Sequence, residues 1–109
     1  MDWEPISESE IHDLIDIACE RMNAEQRRVW EKIKIAPEKW IQDPWGHEGK
    51  GFWIVAIIGR YIVWYNDIED GFNLSTYVSF GKIDEYWCNQ DQLEWTVQNI
   101  INGLRASSE

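Results

Sequence analysis

The stretch FWIVAIIGRYIVWYND, Phe52 to Asp67, limits what this chain can fold into more than any other. Two runs of β-branched and aromatic residues are separated by Gly59-Arg60 alone. A two-residue loop led by glycine suits a type II′ turn, so the segment predicts a tight antiparallel hairpin. The second run leads into DIEDG, where Asp70-Gly71 has the residues of a type I′ turn, and then into a third strand, FNLSTYVSF. Consecutive antiparallel strands of this apolar content must cover at least one sheet face with other elements.

Helices at both ends are the natural cover. Ser7-Glu8-Ser9-Glu10 has the pattern of a capping box, with Ile6 and Ile11 as a hydrophobic staple. Ile11, Leu14, Ile15, Ala18 and Met22 then fall on one helical stripe. Asn23 either ends this helix or marks a continuation or restart through Ala24 to Trp30. In EKIKIAPEKWIQ the alternation of Ile33 and Ile35 predicts an edge strand interrupted at Pro37, because proline lacks the amide a central strand needs. DPWGHEGKG, Asp43 to Gly51, reads as a loop. Lys82 to Cys88 reads as a connector, Asn89 to Gln92 as a polar cap, and Leu93, Val97, Ile100, Ile101 and Leu104 as the stripe of a last helix. The expected architecture is one α+β domain over residues 1–109: an N-terminal helix, a three- or four-stranded antiparallel meander and a C-terminal helix, in two layers.

The two tight turns together predict a register, and register decides which side chains share a face. The first turn sets Ile58 against Tyr61, Ala56 against Val63 and Ile54 against Tyr65. The second sets Tyr65 against Thr76 and Val63 against Val78. One face then collects Phe52, Ile54, Ala56, Ile58, Tyr61, Val63, Leu74, Val78 and Phe80 as core. The other holds Trp53, Val55, Ile57, Ile62 and Trp64, and turns polar at Asn66, Asn73, Ser75 and Ser79 around Tyr77. That mixed face invites three coverings: another segment of the chain such as Trp40 to Trp45, a second copy in a homodimer, or a partner.

Charge narrows the partners. Twenty acids against ten bases give a net charge of −10, and Tyr61 to Leu104 holds seven acids and one base, Lys82. Such a surface should repel nucleic acid and anionic membranes and attract basic proteins, or it serves solubility alone. The opening MDWEPISESE shows neither a basic start nor an apolar run, and no apolar segment nears the roughly 20 residues of a membrane helix, so a cytoplasmic location is expected. Cys19 and Cys88 lack metal or redox spacing and are expected as free thiols, Cys88 as a buried, inert one.

The acids Asp67, Glu69 and Asp70 beside Asn66 and Asn73 lack the spacing of a calcium loop, and alternation sends neighbours to opposite faces, so no metal site is expected. No glycine-rich phosphate loop, zinc spacing or Ser-His-Asp set involving His12 or His47 is present, and no cofactor or catalytic residue is assigned. Trp95 lies on the last helix opposite its apolar stripe, where it must cover another element, meet a partner or sit exposed.

In size, acidity and helix–sheet–helix order, along most of its length, the chain resembles bacterial immunity proteins, with no family motif matched residue by residue. The resemblance implies a non-catalytic module that neutralises a basic toxin domain. Asp67, Glu69, Asp70, Asp84 and Glu85 would steer the encounter, and Trp64, Tyr77 or Trp95 would supply buried anchors. The partner-binding set expected on these grounds is Trp53, Trp64, Asn66, Asp67, Glu69, Asp70, Asn73, Ser75, Tyr77 and Trp95. A competing expectation is a small-molecule binder or enzyme, with Trp53, Trp64 and Tyr77 stacking on a ligand that Asn66, Asn73 and Ser75 orient.

Overall fold

The computed structural model describes residues 4–42 and 51–107. Most of the loop expected over Asp43 to Gly51, residues 43–50 with Trp45 and His47, lies outside them. Among the described residues the order is α1 (Glu8–Arg21), α2 (Ala24–Ile33), β1 (Lys34–Trp40), β2 (Phe52–Ile58), β3 (Tyr61–Asn66), β4 (Gly71–Thr76) and α3 (Leu93–Ser107). The strands form one antiparallel sheet in the order β1-β2-β3-β4. This is the α+β meander expected, with a second N-terminal helix.

Each N-terminal helix starts where local chemistry provides for it. Ser7 Oγ accepts from the Glu10 amide while Glu10 Oε1 accepts from the Ser7 amide, each at 3.1 Å. Asn23 and Gln26 repeat the arrangement at 2.8 and 2.9 Å, so Asn23 both stops α1 and starts α2. These reciprocal bonds satisfy amides that a helix start otherwise leaves open. β1 is the edge strand, and its pairing with β2 is irregular between Lys34 and Glu38, the stretch that holds Pro37. An edge with a bulge is where a sheet tolerates proline.

The hairpin of β2 and β3 turns at Gly59-Arg60, with Gly59 at φ 58° and Ile58 opposite Tyr61. Farther along, the register slips by one residue: Ala56 pairs with Val63, but Ile54 pairs with Trp64. Val55 is the extra residue of this bulge, so side chains before it are carried to the other face than strict alternation gives. The expected faces are therefore corrected at the start of β2. Trp53 and Val55 join the helix-side core, and Phe52 and Ile54 join the outer cluster. Ala56, Ile58, Val63 and Leu74 keep the expected helix side and Ile57, Ile62 and Trp64 the outer side, so Val63 and Trp64 remain on opposite faces, whereas Tyr61, expected in the core, is 48% exposed.

The second turn is also corrected. β3 and β4 are joined by a four-residue loop, Asp67 to Asp70, with Asn66 paired to Gly71 and Tyr65 to Phe72. Asn66 Oδ1 accepts from the amides of Ile68 (3.1 Å) and Glu69 (3.3 Å), and Asp70 takes the left-handed position at φ 57°. An asparagine that caps its own turn favours this wider loop over Asp70-Gly71. The shift is four residues, an even number, so the facing of β4 survives it. β4 ends at Thr76, and Val78 and Phe80, expected in the core, are 83% and 72% exposed.

One face of the sheet carries α1, α2 and α3 over Val55, Ala56, Val63, Tyr65 and Phe72. The other is closed by the connector between β4 and α3: Ile83, Tyr77 and Tyr86 pack with Trp40, Phe52, Ile54, Ile62 and Trp64. Both sides of the sheet are thus dry in its centre.

Candidate functional site

The ten residues expected to bind a partner fall into two groups. Trp64, Asn66, Asn73 and Ser75 are at most 1% exposed, and their polar atoms are engaged inside the protein. Trp64 Nε1 donates to Ser75 Oγ (2.9 Å), which donates to the Glu85 carbonyl (2.9 Å). Asn66 Nδ2 donates to the Trp87 carbonyl (2.9 Å). Asn73 Oδ1 accepts from the Asn89 amide (2.9 Å), and its Nδ2 donates to the Gly71 and Asn89 carbonyls (3.2 and 3.3 Å). Together with the Phe72 amide, which donates to the Asp91 carbonyl at 2.8 Å, these bonds lash the connector across the sheet. Amides and hydroxyls on a sheet face signal recognition in sequence, yet a returning stretch of irregular chain needs the same groups to satisfy its backbone.

Trp53 lies on the helix side, half-buried, with Nε1 donating to the Ile6 carbonyl (2.9 Å) and Lys39 Nζ 5.0 Å over its ring. Asp67 is buried and its Oδ2 accepts from the Ile6 amide (3.0 Å), which ties the start of the chain to the β3–β4 loop. Tyr77 is half-buried, its hydroxyl donating to the Gly59 carbonyl (3.2 Å). The aromatic pocket expected on the mixed face is therefore filled by the protein's own connector. Glu69 is half-buried, and Asp70 and Trp95 are exposed.

Tyr61 is exposed at the β2–β3 turn and Phe80 beside Trp40, while a further set of exposed groups lies where the β3–β4 loop, the end of the connector and the start of α3 meet. Trp87 and Trp95 are 47% and 57% exposed. Asp70 and Asp91 are exposed, and Asp91 is held there by the backbone bond to Phe72. A cavity of about 160 Å³ between this loop, α1 and α3 is lined by Arg21, Tyr65, Asp70, Asp91, Gln92 and Glu94. Tyr65 donates its hydroxyl toward Asp70 Oδ1 (3.4 Å). Burial, then the negative charge of Asp70, push its ionisation up to about 12. Glu94 is 6% exposed; its Oε2 faces Arg21 Nη1 at 3.9 Å. With its amide turned to satisfy both neighbours, Gln92 bridges Glu94 Oε2 (3.0 Å) and Arg21 (3.2 Å). Trp87, Asp91 and Glu94 were not singled out as a group in sequence, since no spacing rule links a connector to the first turn of a helix.

Elsewhere, Glu85 Oε1 accepts from the Thr76 amide and hydroxyl (3.0 and 2.7 Å), which lowers its ionisation. Cys19 is half-buried and burial pushes its thiol up, while Cys88 is exposed, contrary to the buried setting expected. Among the described residues no three His, Cys, Asp or Glu side chains are placed to hold a metal ion, and no helix is long and apolar enough to cross a membrane. No family model, curated protein or solved structure matches the chain.

Proposed function

We propose that this chain is a non-catalytic acidic module that binds a basic protein, and that neutralising or regulating that partner, as with a toxin domain, is its role. The observation that carries the reading is the exposure of Trp87, Asp91 and Trp95 in one stretch of chain, where Asp91 lines one cavity with Trp87 and another with Asp70, in a chain of net charge −10. Exposed tryptophans supply large, stiff contact area that dominates binding when desolvated. Acids around them attract and orient a basic surface before contact. The binding surface lies at the loop-and-helix end of the sheet, away from the interior that Trp64 and Ser75 occupy.

The test is affinity capture with the tagged chain, followed by kinetics on the purified pair. The expected partner is a basic protein whose association rate falls about tenfold or more between roughly 50 and 300 mM salt. Trp87→Ala with Trp95→Ala should weaken the complex by at least 2 kcal/mol or so, mainly through faster dissociation. If the partner is a toxin, the wild-type chain should block its activity and the double variant should not. Capture of no basic protein, or binding indifferent to salt, overturns the reading.

A further inference from the structure

The cavity beside Glu94 identifies what part of a partner this end of the molecule is shaped to take. Glu94 stands in the first turn of α3 and is 6% exposed, yet its Oε1 has no hydrogen-bond partner among the described residues. Only Oε2 is answered, by Gln92 and by Arg21 at the rim. A carboxylate oxygen removed from water without a donor is costly, and a charged donor relieves that cost most fully. The surrounding groups favour the same ligand. Among the described residues, Asp70 and Asp91 line the cavity with Glu94, opposed by one cation, Arg21, and Tyr65 and Gln92 add to its polar wall. Leu14, Ile17, Ala18 and Phe72 supply apolar surface on which an aliphatic stem can lie. At about 160 Å³ the space equals roughly five water volumes, enough for the head of one long basic side chain.

We infer that this cavity is a subsite for a cationic side chain, an arginine or lysine of a bound protein, whose N–H groups bond Glu94 Oε1 and the carboxylates of Asp70 and Asp91. The inference rests on the protein-binding reading and sharpens it: Trp87 and Trp95 provide area at the surface, and this subsite provides a charge-selective socket next to them. Arg21 then acts as the protein's own competitor, holding Oε2 until a partner's cation arrives.

An NMR titration of the isotope-labelled chain with N-acetyl-arginine methylamide tests this, with the citrulline analogue as a neutral mimic and the lysine analogue as a second cation. Expected are saturable shifts confined to the amides of Asp70, Asp91, Gln92 and Glu94, absent with citrulline. Glu94→Gln should weaken the arginine probe at least tenfold. Asp84→Asn, an equal charge change on the exposed connector, should alter it less than twofold. Arg21→Gln should tighten it several-fold. Should Glu94→Gln disturb folding, Asp91→Asn provides the same comparison from an exposed position. Shifts spread evenly over the acidic surface, equal losses in Glu94→Gln and Asp84→Asn, or equal response to citrulline would overturn the subsite. A chain that captures a basic protein yet ignores the arginine probe keeps the proposed function and loses the socket. Specific probe binding without capture of any basic protein supports the socket and removes the function.

Discussion

Asparagine and serine side chains do the joining in this molecule. Asn66, Asn73 and Ser75 each serve a turn or the connector, and each net bond of this kind is worth about 0.5–1.5 kcal/mol. Their alternation on one face was legible in the sequence, but whether those amides awaited a partner or a segment of the same chain was not, because a hydrogen-bonding group does not specify its counterpart. Tyr65 makes a testable statement at this scale. Its ionisation lies near 12 instead of the ordinary 10.0, because burial and then Asp70 disfavour the phenolate. The folded protein therefore keeps a proton that the unfolded chain releases above pH 10. The contribution is intact below that value and is lost as pH rises through about 12. Absorbance titration should show one tyrosine ionising last, and Asp70→Asn should bring that ionisation down.

At the scale of elements, the docking of the connector onto β4 matters most. Gly71 lies at the start of β4 with the connector laid directly on it: a Cβ added there would stand 2.2 Å from the Asn89 carbonyl oxygen and 2.3 Å from Gln90 Cα. Both are backbone atoms that cannot rotate aside. Gly71→Ala should therefore destabilise the fold by about 1–3 kcal/mol, seen as a lower denaturant midpoint. Gly103, in α3, meets nothing within 4 Å. Gly103→Ala should instead stabilise by about 0.5–1 kcal/mol, since alanine loses less chain entropy in a helix. The opposite signs check that space and not backbone torsion governs Gly71. The helices were readable from their caps and apolar stripes, which are local features. The one-residue bulge at Val55 was not readable, because it depends on how β2 meets β3 after the hairpin has formed.

For the whole molecule, charge is the governing quantity. Twenty acids against ten bases leave a folded chain that repels itself, and its exposed ion pairs, such as Arg105 with Glu25, offset little of that. Raising salt from about 20 to 300 mM should screen the repulsion and raise Tm by roughly 4 °C, equivalent to about 1 kcal/mol. The same salt should slow association with a basic partner. A Tm that falls with salt would show that specific ion pairs outweigh the net charge.

The helix–sheet–helix order, the edge position of β1 and the net acidity followed from the chain read alone, because capping, periodicity and charge are properties of neighbouring residues or of a sum; α2 as a separate helix was left open. Which aromatic residues ended inside and which outside was decided only by tertiary contacts. Trp64 vanished beneath Ile83 and Tyr86, while Trp87 and Trp95 stayed exposed. The reason is physical: a segment without periodicity carries no local signal of where it will lie, and here that segment closes the sheet and builds the acidic end.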